Sequence, residues 1–163
     1  MSWIKNYGML IVKILMVVVL GGYIMILINS NQVADKKVED IAASYSQLID
    51  SKSAEKKGYQ QLKQYYGLND GDLDGYVYYG PISMMDVTEV LIVKVSDSSQ
   101  CEDVEKAMEK RLSEQKNNFN GYGTNQMDLL DHSVIKSKGK YVFFAVAENA
   151  DEITEKFLKA IKK

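Results

Sequence analysis

Beyond residue 34 the spacing of apolar positions switches repeatedly between a helical and a strand period. Val38, Ile41, Ala42, Tyr45, Leu48 and Ile49 form one stripe and predict a helix over about 35–50. SKSAEKKG breaks that pattern, and Tyr59–Tyr66 then predicts a short second helix closed by Gly67. YVYYG, Tyr76–Gly80, reads as a strand that Pro81 ends or places on an edge. TEVLIVKV, Thr88–Val95, is β-branched and apolar on both faces, the pattern of a central strand. A helical period follows, with Ser99 and Glu102 as a capping box and Val104, Ala107, Met108, Leu112, Gln115 and Phe119 down one side. GYGTNQ reads as a loop. HSVIKSKGKYVFFAVAE reads as a hairpin turning at Lys138-Gly139, with Tyr141–Ala147 as its second strand. Asn149 and Glu152 suggest another capping box, ahead of a last stripe of Ile153, Phe157, Ala160 and Ile161. The order α-α-β-β-α-β-β-α predicts an α+β domain, with helices packed on an antiparallel four-stranded sheet.

Ahead of this domain, Tyr7–Ile28 reads YGMLIVKILMVVVLGGYIMILI, 22 residues with Lys13 as the one charge. At about 1.5 Å per residue, a helix of that length crosses the roughly 30 Å hydrocarbon core of a bilayer. Lys13 lies where a long side chain reaches the headgroups, and Trp3, Lys5 and Tyr7 suit the interface. A cleaved secretory signal has an apolar region of about 7–15 residues followed by small residues. Here the run Ile14–Ile28 is 15 residues and NSNQVADKK carries no A-x-A pattern, so the sequence favours an uncleaved anchor. No cysteine follows the run, which excludes a lipoprotein signal. The expected organisation is a cytoplasmic tip and transmembrane anchor in 1–30, in contact with the lipid bilayer, and an extracytoplasmic domain in 31–163. Lys5 and Lys13 keep the N-terminus inside by the positive-inside rule, against the weaker pull of Lys36 and Lys37 further out. Gly21-Gly22 would let two such helices approach closely, although a small-xxx-small spacing is absent.

Charge and rare residues remove several function classes. The chain has 20 basic and 22 acidic residues, a balance that argues against nucleic acid as a partner. One cysteine excludes an internal disulfide, and one cysteine with one histidine is too small a set for a zinc site. No P-loop, dinucleotide fingerprint, hydrolase elbow or zincin helix is present, and no cofactor is expected.

DGDLDG, Asp70–Gly75, places Asp70, Asp72 and Asp74 at the first, third and fifth positions of an EF-hand loop, with Gly75 at the sixth. The twelfth position, a bidentate glutamate in such loops, is Pro81, and a strand pattern follows where a helix belongs. A polar turn between helix and strand accounts for the same residues. Cys101 would sit at the start of the long helix, where the dipole lowers a thiol pKa while Glu102 and Asp103 oppose it. A Cys101–His132 dyad lacks any catalytic signature, and a surface thiol open to intermolecular pairing is the plainer reading. Arg111 and Gln115, one turn apart, suit a carboxylate or a backbone segment, or else simply bond the neighbouring loop or sheet edge. Tyr76, Tyr78 and Tyr79 belong to a tyrosine-rich stretch beside the acidic turn. Exposed, they would suit a peptide or glycan; buried, they would serve a small core.

YYGLNDGDLDGYVYYG, VEKAMEKRLSEQKNNFNGY and KGKYVFFAVAENADE together resemble the bacterial domain-of-unknown-function family numbered 4358, over about 38–159. In that pattern a tyrosine-glycine-leucine-acid stretch precedes the first strand. A long helix carries an arginine and a glutamine, here Arg111 and Gln115, and a tyrosine follows, here Tyr122. Gly139 and Tyr141 match its glycine-aromatic strand start. The chain departs from the pattern in lacking a proline soon after Tyr122, and in carrying a plain hydrophobic anchor rather than a lipoprotein signal. The resemblance implies a Gram-positive, Clostridia-like source and an extracytoplasmic position, and it supplies no catalytic residues.

These readings lead to a membrane-anchored extracytoplasmic module of the bacterial cell envelope, non-enzymatic, whose expected partner is an envelope protein or a cell-wall component. Its candidate binding residues are Tyr76, Tyr78, Tyr79, Arg111, Gln115 and Tyr122. The alternatives are an enzyme that uses clustered carboxylates such as Asp72, Asp74 and Glu89, and a domain stabilised by calcium at Asp70, Asp72 and Asp74.

Overall fold

A computed structural model describes residues 2–30 and 33–162; within the first helix it describes the side chains of Gly8 and 10–23. The chain divides into two compact units, Met1–Gln32 and Val33–Lys163. The first holds one helix, α1 (Ser2–Ser30), and its described side chains are exposed. Among the described residues no helix is long and apolar enough to cross a membrane. The side chains described in α1 form a shorter stretch than the about 20 residues a crossing takes. The interfacial placement expected of Trp3, Lys5 and Tyr7 concerns side chains outside the described residues.

The second unit is α+β, with five strands rather than the four expected. They are β1 (Ala54–Lys57), β2 (Leu73–Pro81), β3 (Glu89–Val95), β4 (Val134–Lys138) and β5 (Tyr141–Val146), antiparallel throughout in the order β1-β2-β3-β5-β4. Sequence reading missed β1 inside SKSAEKKG. Glu55, Lys56 and Lys57 erase the apolar alternation there because this is an edge strand, where charge guards against unwanted pairing.

Helices cover both faces. On one lie α2 (Val38–Ala43) and α6 (Ala150–Ala160), and on the other α3 (Tyr59–Tyr66), α4 (Cys101–Phe119) and α5 (Thr124–Asp131). With both faces covered, β5 is buried along its whole length, and every residue of β3 except Lys94 is buried. β3 is the middle strand, as TEVLIVKV predicted. The helix expected over 35–50 is shorter, and a 3₁₀ turn at Ser46–Leu48 follows it. Ser44 bonds back to the Ile41 carbonyl at 2.6 Å, a local bond that competes with helix propagation. Val38, Ile41, Ala42, Tyr45 and Ile49 are buried even so. Thr124–Asp131, assigned to a loop as far as Gln126, is helical; it buries only Leu130, too little to mark a stripe.

Two capping assignments change as well. Entry to α4 is made by Asp97 and Gln100 in a reciprocal box around the 3₁₀ turn Ser98–Gln100, not by Ser99 and Glu102. Asn149 precedes α6 but sends its amide to the Leu48 carbonyl at 3.0 Å instead of capping the helix. Gly67 does close α3, in the left-handed conformation at φ 69°.

Candidate functional site

The acidic turn resolves into two parts. Asp70–Asp72 forms a 3₁₀ turn, while Leu73, Asp74 and Gly75 already belong to β2, across an irregularity in its pairing with β3. Asp74 is 3.3 Å from Lys94, which also meets Asp35 at 2.7 Å. Among the described residues, no three acid, histidine or cysteine side chains gather closely enough to hold a metal ion. Asp74 and Glu89 do not converge either, because the Lys94 that Asp74 meets lies five positions along β3 from Glu89, roughly 17 Å at about 3.4 Å per residue.

Cys101 is buried, with its sulfur 3.5 Å from the Gly139 carbonyl, and burial raises its thiol pKa. That overturns both the surface thiol and the activated one. His132 is exposed and bonds the Asp128 carbonyl at 2.8 Å, so its ring is engaged on α5 rather than at Cys101.

The chemistry lies at the other end of the β2–β3 pair. Glu89, the first residue of β3, is 1% exposed and faces α3 and α4. Tyr66 and Tyr78 each donate a hydroxyl to its Oε1, at 2.7 and 2.5 Å, and Arg111 donates Nε–H to its Oε2 at 3.1 Å. Gly80 makes room for this cluster: a Cβ there would lie 2.6 Å from the Tyr78 hydroxyl. Burial, and then the Glu89 charge, push the Tyr66 and Tyr78 hydroxyls well above their ordinary pKa, so both stay protonated donors. Burial works against the charge of Arg111, but the Glu89 carboxylate and the Tyr66 and Tyr78 hydroxyls together outweigh it and the guanidinium stays charged.

Arg111 is the only arginine in the sequence. Its guanidinium lies over the Tyr65 ring, 4.3 Å from the centroid, so it is held on one face by an aromatic and at Nε by a carboxylate. Among the described residues, neither Nη makes a hydrogen bond within the protein, and neither is enclosed without a partner. The Nη end therefore opens on solvent, in a groove of about 570 Å³ that Arg111 lines with Gln115, Tyr65, Met84 and Tyr122. Gln115 is equally buried, at 7% exposure, and its amide likewise makes no hydrogen bond among the described residues. A second cavity, of about 480 Å³, lies near the start of α6, where Asp50 is already engaged by Lys52 and Ser53, and Asn149 by Leu48.

Of the six residues expected to bind, three meet in this groove: Arg111, Gln115 and Tyr122. Tyr78 lies beneath it as part of the Glu89 cluster. Tyr76 is half-buried near Asp70 and Tyr59 at the far end of β2, and Tyr79 packs on the α2/α6 face. The tyrosine-rich stretch is thus no single surface, because alternation along β2 divides it between the two sides of the sheet.

Sequence reading missed Glu89 as the partner of Arg111. A signal existed: a glutamate opens an otherwise apolar strand, and Arg111 with Gln115 occupies the buried spacing Val104, Met108, Arg111, Gln115, Phe119 of α4. Leu112, assigned to that stripe, is only half-buried.

Comparison with curated proteins and with solved structures gave no significant match. The family described as Domain of unknown function (DUF4358) matches residues 47–147, a span that includes α3, α4, all five strands and the whole Glu89–Arg111 cluster. The chain belongs to that family.

Proposed function

We propose that this protein is a single-pass, membrane-anchored module whose 33–162 domain lies outside the cytoplasmic membrane and binds a partner of the cell envelope, without catalysis, in the groove above Arg111. One observation carries the binding role. Among the described residues beyond α1, the exposed large apolar side chains are Ile82, Met84, Met85 and Tyr122. Three of them line this groove, and the fourth belongs to the same β2–β3 loop. Met84 is 96% exposed. Apolar area left in water at one place, around buried polar groups, is what a recognition surface requires.

The membrane reading rests on the composition of Tyr7–Ile28. The chain enters the domain at the end of the sheet away from the groove. Val33 bridges Lys162, Ala34 N–H donates to the Ile161 carbonyl at 2.9 Å, and the Tyr141 hydroxyl accepts from Lys36 N–H at 2.8 Å. Tyr141 pairs with Lys94, whereas the groove adjoins Glu89.

Two measurements on intact cells test this reading. Protease added outside should degrade the domain, and full protection would reject its external placement. A photocrosslinker at Met84 should capture a discrete envelope partner that one at Lys156, on α6, does not. Equal capture from both positions would reject the groove.

A further inference from the structure

Resting on the groove as the binding site, we infer that its ligand is an acidic side chain, flanked by apolar residues, in an extended segment of a partner polypeptide. The guanidinium of Arg111 is fixed before any ligand arrives, by Glu89 at Nε and by Tyr65 across its face. Only its Nη end, on a side chain more than nine-tenths buried, is left to bind, without an internal acceptor among the described residues. Two N–H groups side by side match the two oxygens of a carboxylate, and Gln115 one turn along offers an amide to the adjoining backbone.

Charge disfavours a ligand that carries more than one negative unit. Glu89 already balances Arg111, and Lys57, the other cation of the groove, meets Glu55 at 2.7 Å. Asp86, an acid of the same lining, accepts the hydroxyl and N–H of Ser83 at 2.7 and 3.2 Å. A dianion such as phosphate would face this carboxylate without a surplus of positive charge. Ile82 and Met84 on one wall, with Phe119 and Tyr122 on another, provide apolar contact for the ligand's neighbours, and methionine adapts readily to varied shapes.

Arg111 supplies its own probe. As the sole arginine, it gives one Nε–Hε signal in a ¹⁵N spectrum of the full chain in detergent micelles. Titration with acetyl-Leu-Glu-Leu-amide should shift that signal saturably, and the glutamine analogue should bind at least about tenfold more weakly. The variant Met84→Ser should weaken both peptides and leave the preference intact. Arg111→Lys removes that signal, so it is read by titration calorimetry, where it should abolish the preference; should that variant fail to fold, Gln115→Leu, read at the arginine signal, should reduce it. Equal binding of the two peptides, no shift with either, or tighter binding of inorganic phosphate than of the glutamyl peptide would overturn the inference. Crosslinking at Met84 that persists while neither peptide binds rejects the carboxylate but keeps the groove. A glutamate preference without crosslinking does the reverse.

Discussion

Tyr45, on the α2/α6 face of the sheet, and Tyr66 and Tyr78, on the α3/α4 face, are all buried, but only the second pair finds hydrogen-bond partners. Among the described residues the first face encloses no ion pair. Phe143 stacks on Phe157 at 4.5 Å, Tyr45 meets Phe143 edge-on at 5.8 Å, and the Tyr45 hydroxyl is enclosed with no partner. The second face encloses a full ion pair, Glu89 with Arg111, together with two tyrosine donors. Well-packed apolar residues in place of a buried ion pair often hold a fold as well or better. Stability alone therefore does not call for the ion pair of the second face.

The largest effect should come from breaking the pair on one side. Glu89→Leu leaves Arg111 buried and uncompensated and should cost about 3–5 kcal/mol in denaturant unfolding. Phe143→Ala, on the α2/α6 face, should cost a similar 3–5 kcal/mol through its cavity, yet should leave the peptide-induced shift at Arg111 intact in whatever fraction stays folded. Loss of that shift in Phe143→Ala would erase the distinction between the faces. Replacing both partners, Glu89→Leu with Arg111→Met, should recover most of the lost stability, to within about 1 kcal/mol of the parent, while peptide binding is abolished. A double variant as unstable as the single one would mean that the pair is structural after all.

A smaller effect should appear at high pH. Burial raises the pKa of Tyr45, Tyr66 and Tyr78 above 10.0, and for Tyr66 and Tyr78 the charge of Glu89 adds to it. The folded protein keeps these protons where the unfolded chain loses them. Stability should thus be unaffected below about pH 10 and fall above it, by up to about 1.4 kcal/mol per pH unit for each tyrosine. Unfolding midpoints between pH 8 and 11 measure that slope, and Tyr66→Phe and Tyr45→Phe should each reduce it by one proton. The smallest change separates the two faces most directly. Tyr45→Phe removes an orphaned hydroxyl and should stabilise the protein by up to about 1 kcal/mol, whereas Tyr78→Phe, which removes a donor to Glu89, should destabilise it by about 1.5–3 kcal/mol.

Much of the domain was legible because its cause was local. The run TEVLIVKV marked the middle strand, and Gly67 closed its helix as expected. The missed elements were those whose pattern is diluted, β1 by its charges and α5 by its single buried residue. In the site, Arg111, Gln115 and Tyr122 could be nominated from their order along the chain, whereas Tyr76 and Tyr79 could not be excluded until the register of β2 assigned their faces.

The sequence by itself determined the class of fold, the apolar N-terminal segment, and the absence of residues enough for a disulfide or a zinc site, since these follow from composition and from periods of a few residues. Only the tertiary structure decided which charge meets which. Glu89 and Arg111 are 22 residues apart in the chain, and their pairing depends on α4 crossing the end of β3. No local period encodes that crossing, and it is the crossing that turns a lone arginine into the floor of a groove.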